Sequence, residues 1–161
     1  MKCIVFSDSH GNTRNMRQAL LANPDAEAVF YLGDGLSDAD IVSSADSGRA
    51  WIAVAGNCDF SPMFRDSFVK KVDKVTLDGQ RIVLTHGDLY GAKYGIGGLL
   101  SLAKEESASI LLFGHTHEPC EKYVPTEDTG VYLFNPGSIG AGSYGIVLIC
   151  EKGILLSHGK I

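Results

Sequence analysis

Apolar residues in this chain gather in short runs, and five of those runs break abruptly into a small polar cluster. KCIVF leads into SDSHGN, VFYL into GDG, IAVA into GNCD, RIVL into THGD and ILLF into GHTH. Continuous runs of this length, rich in Val, Ile, Phe and Tyr and bounded by glycine, read as buried strands. They place strands over 2–7, 28–32, 51–55 and 110–113. Between the first two, the segment from Asn12 to Ala22 contains no proline and spaces Met16, Ala19 and Leu20 along one helical face, with Asn12 or Thr13 as cap. A short helical region is expected around 38–46 and a loop over 60–66. SFVKKVDKVTL and QRIVLT flank Asp78-Gly79, a dipeptide suited to the positive φ of a tight hairpin turn. Glycines 91, 95, 97 and 98 connect to a helix over 98–107, and the remainder reads as strands 121–124, 131–135, 145–150 and 154–158, with Lys152-Gly153 in the last turn. Alternating strand–helix units followed by a strand-rich ending predict an α/β fold of four layers. It is an α/β/β/α sandwich of two mixed sheets flanked by helices, forming one domain over 1–161.

Length and composition leave that picture intact. A chain of 161 residues with 45% hydrophobic and 20% charged residues fits one domain burying roughly two-thirds of its unfolded surface. Charge narrows the partners: the net −5 and the scattered Lys and Arg, densest at Lys70-Lys71, argue against a nucleic-acid polymer while leaving short phosphodiesters open. No apolar stretch approaches the ~20 residues of a membrane span, and MKCIVFSDSH turns polar too early for a signal-peptide core. Cys3, Cys58, Cys120 and Cys150 form no CxxC pair, so a reduced, cytoplasmic location is expected.

The polar clusters carry the chemistry. Asp8, His10, Asp34, Asn57, His86, His115 and His117 all stand just beyond a predicted strand, where layered α/β folds gather their ligands. Taken singly, each would be read as a cap, a turn residue or a satisfied core group. Five clusters in five equivalent positions point instead to a metal site. Asp8/His10 and His115/His117 share an i, i+2 spacing, and Gly33, Gly56, Gly87 and Gly114 adjoin the candidate ligands, permitting sharp turns and close approach. Nitrogen and oxygen donors without a required thiolate suit Mn²⁺, Fe²⁺, Ni²⁺, Co²⁺ or Zn²⁺ rather than Ca²⁺. Seven donors exceed what one tetrahedral ion needs. Two ions ~3.5–4 Å apart would hold a bridging hydroxide and a phosphoryl group for in-line attack.

In this order, DSHGN, GDG-x-x-D, GN-x-D, HG and GHTH resemble the calcineurin-like metallophosphoesterases. The compact length, GNCD in place of GNHE, and NPGS at 135–138 resemble the small, single-domain YfcE-like phosphodiesterase branch, over Met1 to about Ile149. The resemblance implies the same sandwich fold and hydrolysis of small phosphodiesters with two divalent ions. Mn²⁺ or Ni²⁺ is the first expectation, and Zn²⁺, Fe²⁺, Co²⁺ or Mg²⁺ are alternatives. It implies Asp8, His10 and His117 on one ion and Asn57, His86 and His115 on the other, with Asp34 bridging. Catalytic candidates are Asp34, Asn57, Cys58 and Asp59, and a homo-oligomer, dimer or tetramer, is left open.

The chain also departs from that family. Cys58 stands where many relatives carry a histidine able to protonate the leaving oxygen, and a thiol is a weak donor. A packing role for Cys58 is weighed equally with substrate contact; a nucleophilic role would want C-x₅-R, and position 64 is Phe. Asp88 replaces a second histidine and, like Asp59 and Asp38, is a candidate for orienting a ligand or water, although Asp38 is expected to cap a helix or face solvent. Tyr90, Lys93 and Tyr94 lie on the loop after His86, His158 is expected at the surface or a sheet edge, and Asn135 and Ser138 are expected to fix a turn. The main rival to an enzyme is a non-catalytic interaction module, as in the similar retromer subunit that lost metal-site residues. A nuclease is the weaker rival, given the acidity.

Overall fold

A computed structural model of the chain describes residues 1–59, 69–126, 130–150 and 153–161. The loop expected over 60–66 and Lys152 of the last turn lie outside the described residues. The elements run β1 (Lys2–Phe6), α1 (Thr13–Ala22), β2 (Ala28–Tyr31), α2 (Leu36–Ser43), β3 (Ala50–Ala53), β4 (Val72–Leu77), β5 (Gln80–Thr85), α3 (Gly97–Glu105), β6 (Ile110–Leu112), β7 (Cys120–Val124), β8 (Val131–Asn135), β9 (Ser143–Cys150) and β10 (Gly153–Lys160). A 3-10 turn spans Asp88–Tyr90. Two five-stranded mixed sheets result, ordered β10-β9-β1-β2-β3 and β4-β5-β6-β8-β7.

Strand alternation sorts side chains into layers. In β1, Cys3 and Val5 enter the core between the sheets with Phe30, Leu84, Ile110, Leu112 and Phe134. Ile4 and Phe6 point the other way, against Met16, Ala19 and Leu20 of α1 and Leu36, Ala39 and Val42 of α2. Val83, Leu111 and Leu133 of the second sheet cover Leu99, Leu102 and Ala103 of α3. The expected four layers are therefore present, and β1, β2 and β3 are parallel, as are β5, β6 and β8.

Local signals explain most element ends. Asn12 Oδ1 accepts from Asn15 N–H at 3.2 Å and caps α1. Helix α3 stops before 107 because Ser107 turns left-handed (φ 51) and Ala108 N–H reaches back to Ala103 O at 2.8 Å. Helix α2 begins at Leu36, two residues before the expected start, because Gly35 (φ 136) makes an abrupt turn and the first amides find an acceptor on a distant loop. The hairpin turns at Asp78 (φ 47) and Gly79 (φ 78), both left-handed as a tight primed turn requires.

Candidate metal centre

Left-handed backbone at a non-glycine residue is costly, and among the described residues seven adopt it. Asp8 (φ 56), His10 (φ 44), Asp34 (φ 59), His115 (φ 68) and His117 (φ 62) account for five of them. Such conformations persist only where surrounding contacts over-determine them, and they collect at functional sites. The loops after the strands are tied in pairs, β1 to β2 where Asp8 N–H donates to Gly33 O at 2.9 Å, and β6 to β5 where Gly114 N–H donates to His86 O at 3.0 Å. Close approach needs bare glycine at two places. A Cβ on Gly56 would enter the Asp34 carboxylate, and one on Gly114 would enter Ser7 and Asp8.

Six predicted ligands converge into two groups, Asp8–His10–His117 and Asp34–His86–His115, the donor atoms of each lying within 4.8 Å of one another. In the first, His10 Nε2 and His117 Nε2 are 3.3 Å apart, and Asp8 Oδ1 lies 3.2 Å from His117 Nε2 and 3.8 Å from His10 Nε2. Asp8 Oδ2 is anchored by Ser7 Oγ (2.5 Å) and His115 N–H (3.1 Å). Asp8 Oδ1, by contrast, is buried without a hydrogen-bond partner. In the second group His86 Nδ1 donates to Leu32 O at 2.7 Å, so in the neutral ring the lone pair sits on Nε2. That Nε2 stands 3.4 Å from Asp34 Oδ2, 3.2 Å from His115 Nδ1 and 4.0 Å from Asp8 Oδ1.

The arrangement fits divalent cations. Facing imidazole lone pairs beside an orphaned carboxylate oxygen repel one another unless a cation or protons lie between them. Titration behaviour agrees with that crowding. Burial alone would raise the Asp34 carboxyl, but hydrogen bonds from His86 and the Cys58 amide hold it well below the ordinary carboxylate range. Burial works against a charged His86, yet the hydrogen bond to Asp34 and the Asp8 and Asp34 charges raise it above an ordinary imidazole. His115 is lowered, by burial first and then by His86 and Lys93. The first group is the more open, its His10 and His117 side chains being 43% and 49% exposed against 0% for His86.

Other predicted residues fall in different places. Asn57 is exposed and its amide donates to Cys58 Sγ at 3.2 Å. Cys58 is exposed too, so it does not pack as a small core residue; its amide donates to Asp34 Oδ1 at 2.7 Å. A hydrogen bond with Asp34 raises the thiol, keeping it protonated. Asp59 accepts from the amides of Asp34, Gly35, Leu36 and Gly56 at 2.8–2.9 Å, so both its oxygens are engaged by backbone. Asp88 pairs with Lys71 at 3.8 Å. Asp38, expected as a cap or exposed, is buried and accepts from Ser9 Oγ (2.6 Å) and Gly11 N–H (2.7 Å). Asn135 fixes the GHTH turn through Gly114 O (2.9 Å) and Thr116 Oγ1 (3.0 Å), and Ser138 donates to Asp8 O at 2.8 Å. His158, on edge strand β10, reaches Asn135 O at 2.8 Å and stacks on Phe134. Lys93 and Tyr94 are exposed on the loop after His86, whereas Tyr90 packs on the α3 core. Ser7 and Tyr31 escaped the sequence reading: each is an ordinary strand residue, and only its neighbours reveal a polar role.

Residues 1–151 match the model of the calcineurin-like phosphoesterase superfamily domain, and the chain belongs to that superfamily. Among named relatives, the probable metallophosphoesterase YsnB of Bacillus subtilis (strain 168) is 29% identical over 139 residues, covering 86% of this chain and 75% of that protein. Phosphodiesterase YfcE of Escherichia coli (strain K12) is 28% identical over 157 residues, covering 86% and 79%. A predicted phosphoesterase from Streptococcus pneumoniae TIGR4 superposes with a TM-score of 0.78 at 27% identity, covering 99% of this chain and 88% of that one. Vps29 from Entamoeba histolytica complexed with Zn²⁺ shares the fold, with a TM-score of 0.74, 18% identity and 99% coverage of both chains. Among the described residues no helix is long and apolar enough to cross a membrane.

Proposed function

We propose that this phosphoesterase is a metal-dependent phosphodiesterase acting on small phosphodiesters, with two divalent ions, Mn²⁺ or Ni²⁺, per chain. The observation that carries the reading is the pair of adjacent donor groups, with a buried, unpartnered Asp8 Oδ1 between imidazoles of both. Two ions held there supply charge that makes a water nucleophilic near neutral pH and neutralises a phosphoryl group aligned for in-line displacement. Asp8, His10 and His117 would hold one ion, and His86 and His115 the other, with Asp34 shared and Asn57, whose amide nitrogen faces Cys58, offering its carbonyl oxygen to the second. The Leu32 carbonyl fixes the His86 tautomer that ligation needs. Cys58, neutral and exposed beside Asp34, offers the departing oxygen only a weak proton donor. The acidic surface disfavours a nucleic-acid polymer as substrate, and four free thiols support a reducing, cytoplasmic setting.

The test is an assay of bis(aryl) phosphodiesters and aryl phosphomonoesters after exhaustive chelation and after return of Mn²⁺, Ni²⁺, Mg²⁺ or Zn²⁺. Diester hydrolysis is expected to vanish on chelation and return with Mn²⁺ or Ni²⁺. Full activity in a verified metal-free preparation would overturn the two-ion reading, and monoester turnover far above diester turnover would overturn the substrate class. A protein-interaction module with this fold would bind metal without hydrolysing either series.

A further inference from the structure

We infer that Asp38 and Asp59 are positioning residues that divide the metal centre between them, Asp38 setting the loop of Asp8 and His10 and Asp59 setting the loop of Asp34. The inference rests on the two-ion reading above. Both residues stand at the N-terminal end of α2, where amides without a partner in the helix and the helix dipole favour negative charge. Asp38 lies in the first turn of α2, and Asp59 reaches it from the loop after β3.

Asp59 acts on the second group. Its Oδ1 accepts from Gly35 and Leu36 (2.8 and 2.9 Å) and its Oδ2 from Asp34 and Gly56 (2.8 Å each). Those amides bracket Asp34, whose φ of 59 is costly for a residue with a Cβ, and tie it to the residue before Asn57. One carboxylate thereby fixes the strained turn that aims Asp34 and the backbone that carries Asn57 and Cys58.

Asp38 acts on the first. Its Oδ2 accepts from Gly11 N–H and from Ser9 Oγ, the residues on either side of His10, whose own φ is 44. Because an ionised carboxylate only accepts, Ser9 donates to Asp38, and the Tyr31 hydroxyl, 2.7 Å from Ser9 Oγ, donates to Ser9. The relay is buried at Ser9, Tyr31 and Asp38, and a Cβ on Gly35 would crowd all three, so the relay packs directly against the turn that follows Asp34. Neither Asp38 nor Asp59 is a ligand. Each holds the backbone of a loop that carries ligands.

The experiment is isothermal titration with Mn²⁺ alone, alongside melting temperature, on the full chain, on Asp38→Asn and Asp59→Asn, and on each of these combined with His117→Ala. His117 is half exposed, so removing its ring disables the first group without opening the core. The parent is expected to bind two ions. Each single variant should weaken one of them by about 10–100-fold, the usual cost of losing an outer support of a ligand. In the His117→Ala background the remaining ion belongs to the second group; Asp59→Asn should weaken it and Asp38→Asn should leave it unchanged. Ser9→Ala, which deletes one hydroxyl, and Asp59→Glu, which keeps the charge, repeat the two arms in milder form if an Asn variant fails to fold. Variants that melt earlier but bind Mn²⁺ like the parent would reduce both residues to helix caps and overturn the inference. So would equal weakening by both in the His117→Ala background. A parent that binds no ion would instead sink the two-ion reading itself.

Discussion

Asp34 is held from several loops of the candidate centre at once. Its Oδ1 accepts from the Cys58 amide, its Oδ2 faces His86, its own amide donates to Asp59 and its carbonyl lies 3.3 Å from the Tyr31 hydroxyl. Asp34→Asn removes the charge that the second group needs while preserving shape, so the purified variant should retain fewer than two ions by elemental analysis and lose turnover more than any other ligand variant. Two retained ions with near-normal turnover would show that Asp34 is not shared. Cys58 governs a different property. With a thiol where relatives carry an imidazole, turnover should fall steeply as leaving-group pKa rises across substituted aryl phosphodiesters. Cys58→His should flatten that slope, since a well-placed general acid contributes ~10²–10⁴-fold on poor leaving groups. Cys58→Ala should change little, because the thiol is exposed and a weak donor. A parent indifferent to leaving-group pKa, with bond cleavage rate-limiting, removes this account.

Turns and strand ends respond differently according to what surrounds them. Gly79 closes the β4–β5 hairpin with φ 78 and open space around its missing Cβ. Gly79→Ala should therefore cost only backbone strain, about 1 kcal/mol, and leave Mn²⁺ binding as in the parent. Gly114 has no left-handed backbone, but a Cβ there would strike Ser7 and Asp8. Gly114→Ala should weaken the Asp8–His10–His117 ion in titration even if melting shifts by a similar amount. Equal metal affinity in the two variants would contradict the close packing of the β1 and β6 ends.

The centre joins two sheets, since Asp8 and Asp34 follow strands of the first and His86, His115 and His117 follow strands of the second. Ions bound there would cross-link the sandwich. Saturation to 100 times Kd should contribute about 2.7 kcal/mol per ion, a rise of roughly 5–10 °C in melting temperature for a chain of this size. The rise should grow with Mn²⁺ concentration and shrink in acid, because His86, whose affinity for protons is raised, must be neutral to bind metal. A melting temperature independent of Mn²⁺ would argue against binding. Alkali acts on the core instead. Burial pushes the Cys3 thiol to about 11 and raises the Tyr31 hydroxyl as well. The unfolded chain releases these protons before the folded one, so stability should fall as pH rises above about 9, by on the order of 2–3 kcal/mol for Cys3 by pH 11. Urea midpoints at pH 8 and 10.5 measure it.

Much of the molecule was legible in its local sequence. Strand runs such as KCIVF and ILLF, the Asn12 cap and the Asp78-Gly79 turn are decided by burial of apolar side chains and by backbone preference over a few residues. The ligand types were legible for the same reason: six of the seven residues at strand ends meet in two groups. Relations between distant loops were not. Asp38 reads as a surface cap until Ser9 and Gly11 are brought to it, and Asp59 reads as catalytic until four backbone amides occupy its oxygens. Which oxygen of Asp8 is left bare, and which His86 nitrogen faces the site, depends on Ser7 and on the Leu32 carbonyl respectively. Local sequence thus determined which chemistry is present and at which strand ends. Only the packing of two sheets, by bringing those ends within hydrogen-bond distance, decided which side chains face one another and which are taken up by backbone amides.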